Sequence, residues 1–141
     1  MCLETTKEET NKFRNRNKDK KFIWAYKVYE RVGSGLYSPF CCHFNGIIPG
    51  IVKSDRSRLS FDFRNKDYYV GNGLWEITRG IHVYLTKKAA LKILGHNINR
   101  IVLKVKCPMS EFVACNKKAA VFRAINLSQK EYDAAISKEI N

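Results

Sequence analysis

Hydrophobic and polar positions alternate with period two along Phe22-Ile-Trp-Ala-Tyr-Lys-Val-Tyr29, which puts Phe22, Trp24, Tyr26 and Val28 on one face. Aromatic and branched side chains in that rhythm predict a strand. Gly33-Ser-Gly35 breaks it, and Leu36-Tyr-Ser-Pro39 leads into Phe40-Cys-Cys-His-Phe44. Pro49-Gly50 marks a turn, and Lys53-Ser-Asp-Arg-Ser-Arg58 reads as an exposed loop. Alternation returns over Leu59-Ser-Phe-Asp-Phe63, and a short strand Tyr68-Tyr-Val70 precedes a Gly71-Asn-Gly73 turn.

The second half has sharper punctuation. Gly80-Ile-His-Val-Tyr-Leu85 turns Ile81, Val83 and Leu85 inward and His82 outward, beside Tyr84 and Arg79. Thr86 then caps a helix over Lys87-Lys-Ala-Ala-Leu-Lys-Ile-Leu94, and Gly95 stops it. Ile101, Leu103 and Val105 face a core while Lys104 and Lys106 point out, until Pro108 ends the run. Ala119-Ala-Val-Phe-Arg-Ala-Ile125 reads as one more strand. Ser128-Gln-Lys-Glu131 is a capping box opening a helix with a stripe of Tyr132, Ala135, Ile136 and Ile140. The expected class is α+β: a mostly antiparallel, twisted sheet with two or three packed helices.

Residues 1–21 stand apart, with Met1, Cys2, Leu3 and Phe13 as their apolar groups. So little burial does not offset the entropy of ordering, and a polar tail preceding a single domain over 22–141 is expected. Its end, Lys12-Phe-Arg-Asn-Arg-Asn-Lys-Asp-Lys-Lys21, reads either as a solvated leader or as a basic arm, with Lys12, Arg14, Arg16 and Lys18 as contacts to a polyanion. Thr6-Lys-Glu-Glu9 would cap a short helix there.

Composition sharpens the charge argument. Of the formal net +13 in 141 residues, +10 comes from Ile77–Lys130, where eleven Lys and Arg face the single acid Glu111. Such a field draws in polyanions or acidic proteins. Lys87, Lys88, Lys92, Lys104, Lys106, Lys117 and Lys118 are the candidate contacts, with Tyr68 and Tyr69, beside a turn, as exposed stacking groups. Phe22, Trp24, Phe61 and Phe63 are assigned to the sheet core. No apolar run approaches the roughly 20 residues of a membrane span and the amino terminus is polar, so a cytoplasmic protein is expected.

Candidate chemistry is sparse. Five cysteines, odd in number and including the adjacent Cys41 and Cys42, read as free thiols of a reducing compartment. A zinc site would have to combine Cys41, Cys42 and His43 with Cys107 and Cys115, but adjacent residues of a strand point apart. No metal and no cofactor is expected.

Two resemblances add to this reading. Ala25-Tyr-Lys-Val28, Tyr37-Ser-Pro39, Gly80-Ile-His-Val-Tyr-Leu-Thr86 with Ala89-Ala90, Val102-Leu-Lys-Val105 and Glu111-Phe-Val-Ala114 together resemble small uncharacterised proteins of phages and related mobile elements. That resemblance implies a virus-encoded accessory or anti-defence factor, CRISPR inhibitors included. Tyr84-Leu-Thr86 followed by Ala89-Ala90 is also similar to ADP-ribosyltransferases, which would imply NAD as cofactor and Glu111 as the catalytic carboxylate. The first-strand position, Tyr26 or Lys27, departs from the His or Arg of those enzymes. Three functions follow: a nonenzymatic protein engaging nucleic acid or a host nucleoprotein complex, an NAD-using transferase, or a module docking an acidic host protein.

Overall fold

The longest alternating run becomes the longest strand. In the computed structural model, which describes residues 3–37, 47, 49–53 and 61–137, β2 spans Phe22–Val32 and pairs antiparallel along nine positions with β8, Arg100–Pro108. Around this pair are β3 (Gly35–Tyr37), β4 (Gly50–Lys53), β7 (Ile81–Tyr84), β9 (Phe112–Cys115), β10 (Ala119–Phe122) and β11 (Ala124–Leu127). The strand order is β4-β11-β8-β2-β7-β10-β9, with β3 beside β2. β1 (Leu3–Thr5), β5 (Tyr69–Gly71) and β6 (Leu74–Ile77) form a second, three-stranded sheet in the order β1-β6-β5. Three helices complete the chain: α1 (Lys7–Arg16), α2 (Lys87–Leu94) and α3 (Gln129–Ser137). Every ladder is antiparallel and the class is α+β.

One covalent detail shapes the large sheet. The expected single strand over 119–125 is two, separated by Arg123 alone, with β10 beside β7 and β11 beside β8 on the other side of β2. Strands joined by one residue cannot lie far apart, so the sheet curls round on itself. Its inward face carries Ala25, Tyr29, Ile81, Val83, Leu103, Val105, Phe122, Ile125 and Leu127. α3 closes this face with Ala135, and α1 with Phe13, whose ring stacks on Phe112 at 5.2 Å.

The outward face is covered only in part. α2 lies over β2 and β8, and β1 with β6 over β9 and β10, burying Val28, Tyr84, Ala90, Leu3, Ile77 and Val121 together. α2 has the expected bounds, with Thr86 Oγ1 accepting from the Ala89 N–H and Gly95 at φ 54° ending it. In α3 the Ser128 hydroxyl likewise accepts from the Glu131 N–H.

Four expectations are corrected. Residues 3–21 are not a solvated tail, because two of their few apolar groups lie in cores: Leu3 is 1% exposed and Phe13 8%. The burial is sealed by Thr5 and Thr10, whose hydroxyls bond to each other and to the Cys115 carbonyl, while Thr10 Oγ1 accepts from the Cys115 N–H. Buried hydroxyls need such partners, which apolar counting does not register. His82 is buried, since the outward face of β7 lies under β1 and β6; its ring nitrogens sit 3.1 Å from the Ile77 carbonyl and 3.3 Å from that of Gly80. Phe61 to Phe63 form no strand and instead build an aromatic cluster with Tyr68, Tyr69 and Trp75. Trp24 is no core residue: half of it is exposed. The segment around Cys41, Cys42 and His43, and the loop over 54–58, lie outside the described residues.

Candidate nucleic-acid interface

Past the end of α2's cover, the outward face of β2 and β8 changes character. Trp24 pairs with Lys106, Tyr26 with Lys104 and Phe22 with Pro108, so these side chains share a face. The register extends the Trp24–Lys106 row through Asn126 of β11 to Ile51 of β4. Trp24 is 50% exposed and Ile51 70%, and Asn126 is exposed as well. Four neighbouring strands at about 4.8 Å spacing make a strip roughly 14 Å across. Two lysines lie over the rings: Lys104 Nζ is 4.8 Å from the Trp24 ring centre and Lys106 Nζ 4.0 Å from that of Phe22. The two rings meet edge to face at 5.6 Å.

Beyond Phe22 the surface turns into a basin. The Met109 N–H donates to the Lys21 carbonyl, which holds the residues after β8 against the segment that feeds β2. Arg14, Lys18, Lys20, Lys21, Asn17, Met109 and Ser110 line an open pocket of about 520 Å³ there. The last turn of α1 favours cations through the helix dipole, which accounts for Arg14 and Arg16. Lys18, Lys20 and Lys21 lie past its cap at Asn17, and among the described residues no carboxylate pairs with them.

The remaining candidates are scattered. Lys87, Lys88 and Lys92 are exposed on α2. Lys117 and Lys118 are exposed in the β9–β10 turn, where the Lys118 carbonyl accepts from the Leu85 N–H two residues before α2. That hydrogen bond brings the turn and the helix start together, away from the basin. Lys12 pairs with Glu8 at 3.0 Å on the exposed side of α1. Arg16 lies over the Phe13 ring, while Arg14, which also lines the basin, lies over that of Phe112. Tyr69 is exposed as expected, with its hydroxyl accepting from the Gly73 N–H, but Tyr68 is half-buried edge-on against Phe61.

Sequence reasoning missed the rings of the strip. Phe22 and Trp24 were assigned to the core because a strand does not declare which face is covered. The signal lay in the neighbouring strand: Lys104 and Lys106 alternate outward, and whichever β2 residues share their face share their exposure.

The geometry does not assemble a reaction centre from the transferase residues. Glu111 closes the 3-10 turn Met109–Glu111 just before β9, and β9 and β10 place Phe112 level with Phe122 and Ile81. Tyr84 lies at the opposite end of the β7–β10 ladder, opposite Ala119. Burial pushes the Cys107 and Cys115 thiols up to about 12, opposite to the shift a thiolate nucleophile needs. Among the described residues no group of three His, Cys, Asp or Glu is placed to hold a metal, and no helix is long and apolar enough to cross a membrane.

No family model matches this chain. No curated protein and no solved structure matches it either, so the site is read from its own geometry.

Proposed function

We propose that this is a nonenzymatic binding protein that holds nucleic acid, free or within a nucleoprotein complex, on the bare end of its curled sheet. The observation carrying this reading is the pairing of half-exposed Trp24 and partly buried Phe22 with Lys104 and Lys106 on one face that α2 leaves uncovered. Flat rings beside cations suit bases and phosphates at once. Magnitudes favour the exchange: an exposed cation–π contact is worth about 0.5–1 kcal/mol, whereas a base stacked on an aromatic ring is worth about 1–3 kcal/mol. A base therefore displaces the lysine cap, and the released ammonium finds a phosphate. Taken with the resemblance to phage and mobile-element proteins, this reading proposes the nucleoprotein machinery of a host, defence nucleases included, as the natural target.

The test is binding of arbitrary DNA and RNA across a salt series. Wild type should lose affinity steeply with salt, by about 0.7–0.9 in logarithmic slope for each phosphate neutralised. Lys104→Glu with Lys106→Glu should abolish most of it in a folded protein. Unchanged binding in that variant, or none in wild type with an acidic protein retained from host extract instead, refutes the reading.

A further inference from the structure

We infer that the basin lined by Arg14, Lys18, Lys20, Lys21 and Ser110 is a phosphate-binding subsite continuous with the strip, so that the ligand is a single strand leaving the sheet over its Phe22–Pro108 edge. This rests on the nucleic-acid reading of the strip and specifies its ligand.

Three observations support it. Phe22 and Pro108 are the last pair of the β2–β8 ladder, and the next residues on each side, Lys21 and Met109, are joined by a hydrogen bond and line the basin. Strip and basin are thus consecutive along the chain and in space. Cations unpaired by any carboxylate among the described residues repel one another until an anion enters, and Ser110 adds a hydroxyl donor. The strip itself offers ring faces, which are of use only to bases out of a duplex stack. At roughly 14 Å across, it holds only a few nucleotides, so a longer strand must run off it. The α1 side offers basic groups at that exit, while the Ile51 end of the row offers an apolar one. Unpaired bases and phosphodiesters are common to DNA and RNA, and both are tested.

The experiment uses labelled dT12 and rU12, the trimers dT3 and rU3, and a twelve-base-pair duplex, each titrated over a salt series. The proteins are wild type, Trp24→Ala, and the triple variant Lys18→Gln, Lys20→Gln, Lys21→Gln, whose three sites are exposed and whose folding is checked by thermal melting. The expected result is a fall of about 2 in the 12-mer salt slope of the triple variant, from about 0.7 per single-strand phosphate, with at least tenfold weaker binding at low salt. Trimer affinity should stay within about twofold in that variant, while Trp24→Ala weakens trimer and 12-mer alike. A preference for dT12 or for rU12 assigns the sugar. An unchanged 12-mer slope in the triple variant, with Trp24→Ala still damaging, overturns the basin and leaves the strip standing. Duplex bound as tightly as single strands, with Trp24→Ala silent, overturns the single-strand assignment. Absence of binding to every probe refutes both readings.

Discussion

The outward faces of β2 and β8 are one surface with two fates. Under α2, Val28 is 2% exposed and packs with Ala90, Tyr84 and Val102; four residues earlier on the same strand and face, Trp24 is half exposed and capped by a lysine. Backbone pairing is uninterrupted between them, for the ladder runs from Phe22–Pro108 to Glu30–Arg100 without a break. The difference lies in what covers the strand and in which side chains the sequence supplies there. Aliphatic residues gain by losing water; a large ring paired with an ammonium tolerates solvent and retains a face to offer. On the proposed function the covered end serves stability and the bare end contact, and substitutions should separate the two.

The largest effect is expected at the covered end. Leu3→Ala should destabilise the protein by about 2–5 kcal/mol, the range for truncating a buried leucine, read as a lower urea midpoint at unchanged slope. Affinity for oligonucleotide, measured where the variant is folded, should not change. A loss under about 0.5 kcal/mol would mean that β1 does not pair beside Ile77 and pack onto β9 and β10, and would favour the polar-tail reading of this segment.

Next comes the pH dependence of His82, also at the covered end. Burial holds its imidazole below the ordinary 6.5, against the opposing pull of the Ile77 carbonyl. Below pH 6.5 the unfolded chain binds a proton that the folded one resists, so stability is present above that pH and falls as pH drops through the folded value. Urea midpoints of wild type should decline on that acid side, and those of His82→Gln should decline less. Equal slopes would remove His82 as the titrating group. On the alkaline side the buried thiols Cys107 and Cys115, raised to about 12 from 9.0, give the opposite sign, with stability lost between those two values as pH rises.

Legibility in the sequence followed the same division. Strong local punctuation was readable: Thr86 and Gly95 bound α2, Ser128 caps α3, and the alternation of Phe22–Tyr29 and Ile101–Val105 marks the central pair. What required the third dimension was not. Whether an outward face is bare depends on where another element lands, so His82 and Trp24, both on outward faces, exchanged their expected fates. In the amino-terminal segment the Thr6 cap of α1 was legible, but its packing was not, because its order rests on two apolar anchors and a pair of threonines bonded to a carbonyl more than a hundred positions away. The split at Arg123 was invisible because a single residue changes which neighbours a strand keeps, not how it alternates. Of the candidate site, the outward alternation of Lys104 and Lys106 was legible; that Trp24 and Phe22 lie beside them, and that Lys20 and Lys21 line the basin, was not.

Trp24→Ala sharpens the comparison at the bare end. Removing a ring that is only half buried should cost about 1–2 kcal/mol of stability, less than Leu3→Ala, because solvent already covers much of what is lost. Binding should suffer by about 1–3 kcal/mol, roughly 5- to 150-fold, from the lost stack. A stability loss as large as that of Leu3→Ala would erase the distinction between the two ends.

The smallest effect on stability is expected from the lysine cap itself. Lys104 is exposed, and its contact with the Trp24 ring is of the kind worth about 0.5–1 kcal/mol, so Lys104→Gln should shift the urea midpoint by no more than that. The indole N–H resonance of Trp24 should move in the free protein, since a charge 4.8 Å from the ring centre is gone. On addition of single-stranded oligonucleotide the same resonance in wild type should move as well, because the incoming base takes the place of the ammonium. The logarithmic salt slope of Lys104→Gln should then fall by about 0.7, the share of one phosphate on a single strand. If instead the slope is unchanged while the free-state resonance has moved, Lys104 only shields the ring, and the bare end owes its charge to Lys106 and the basin beyond Phe22.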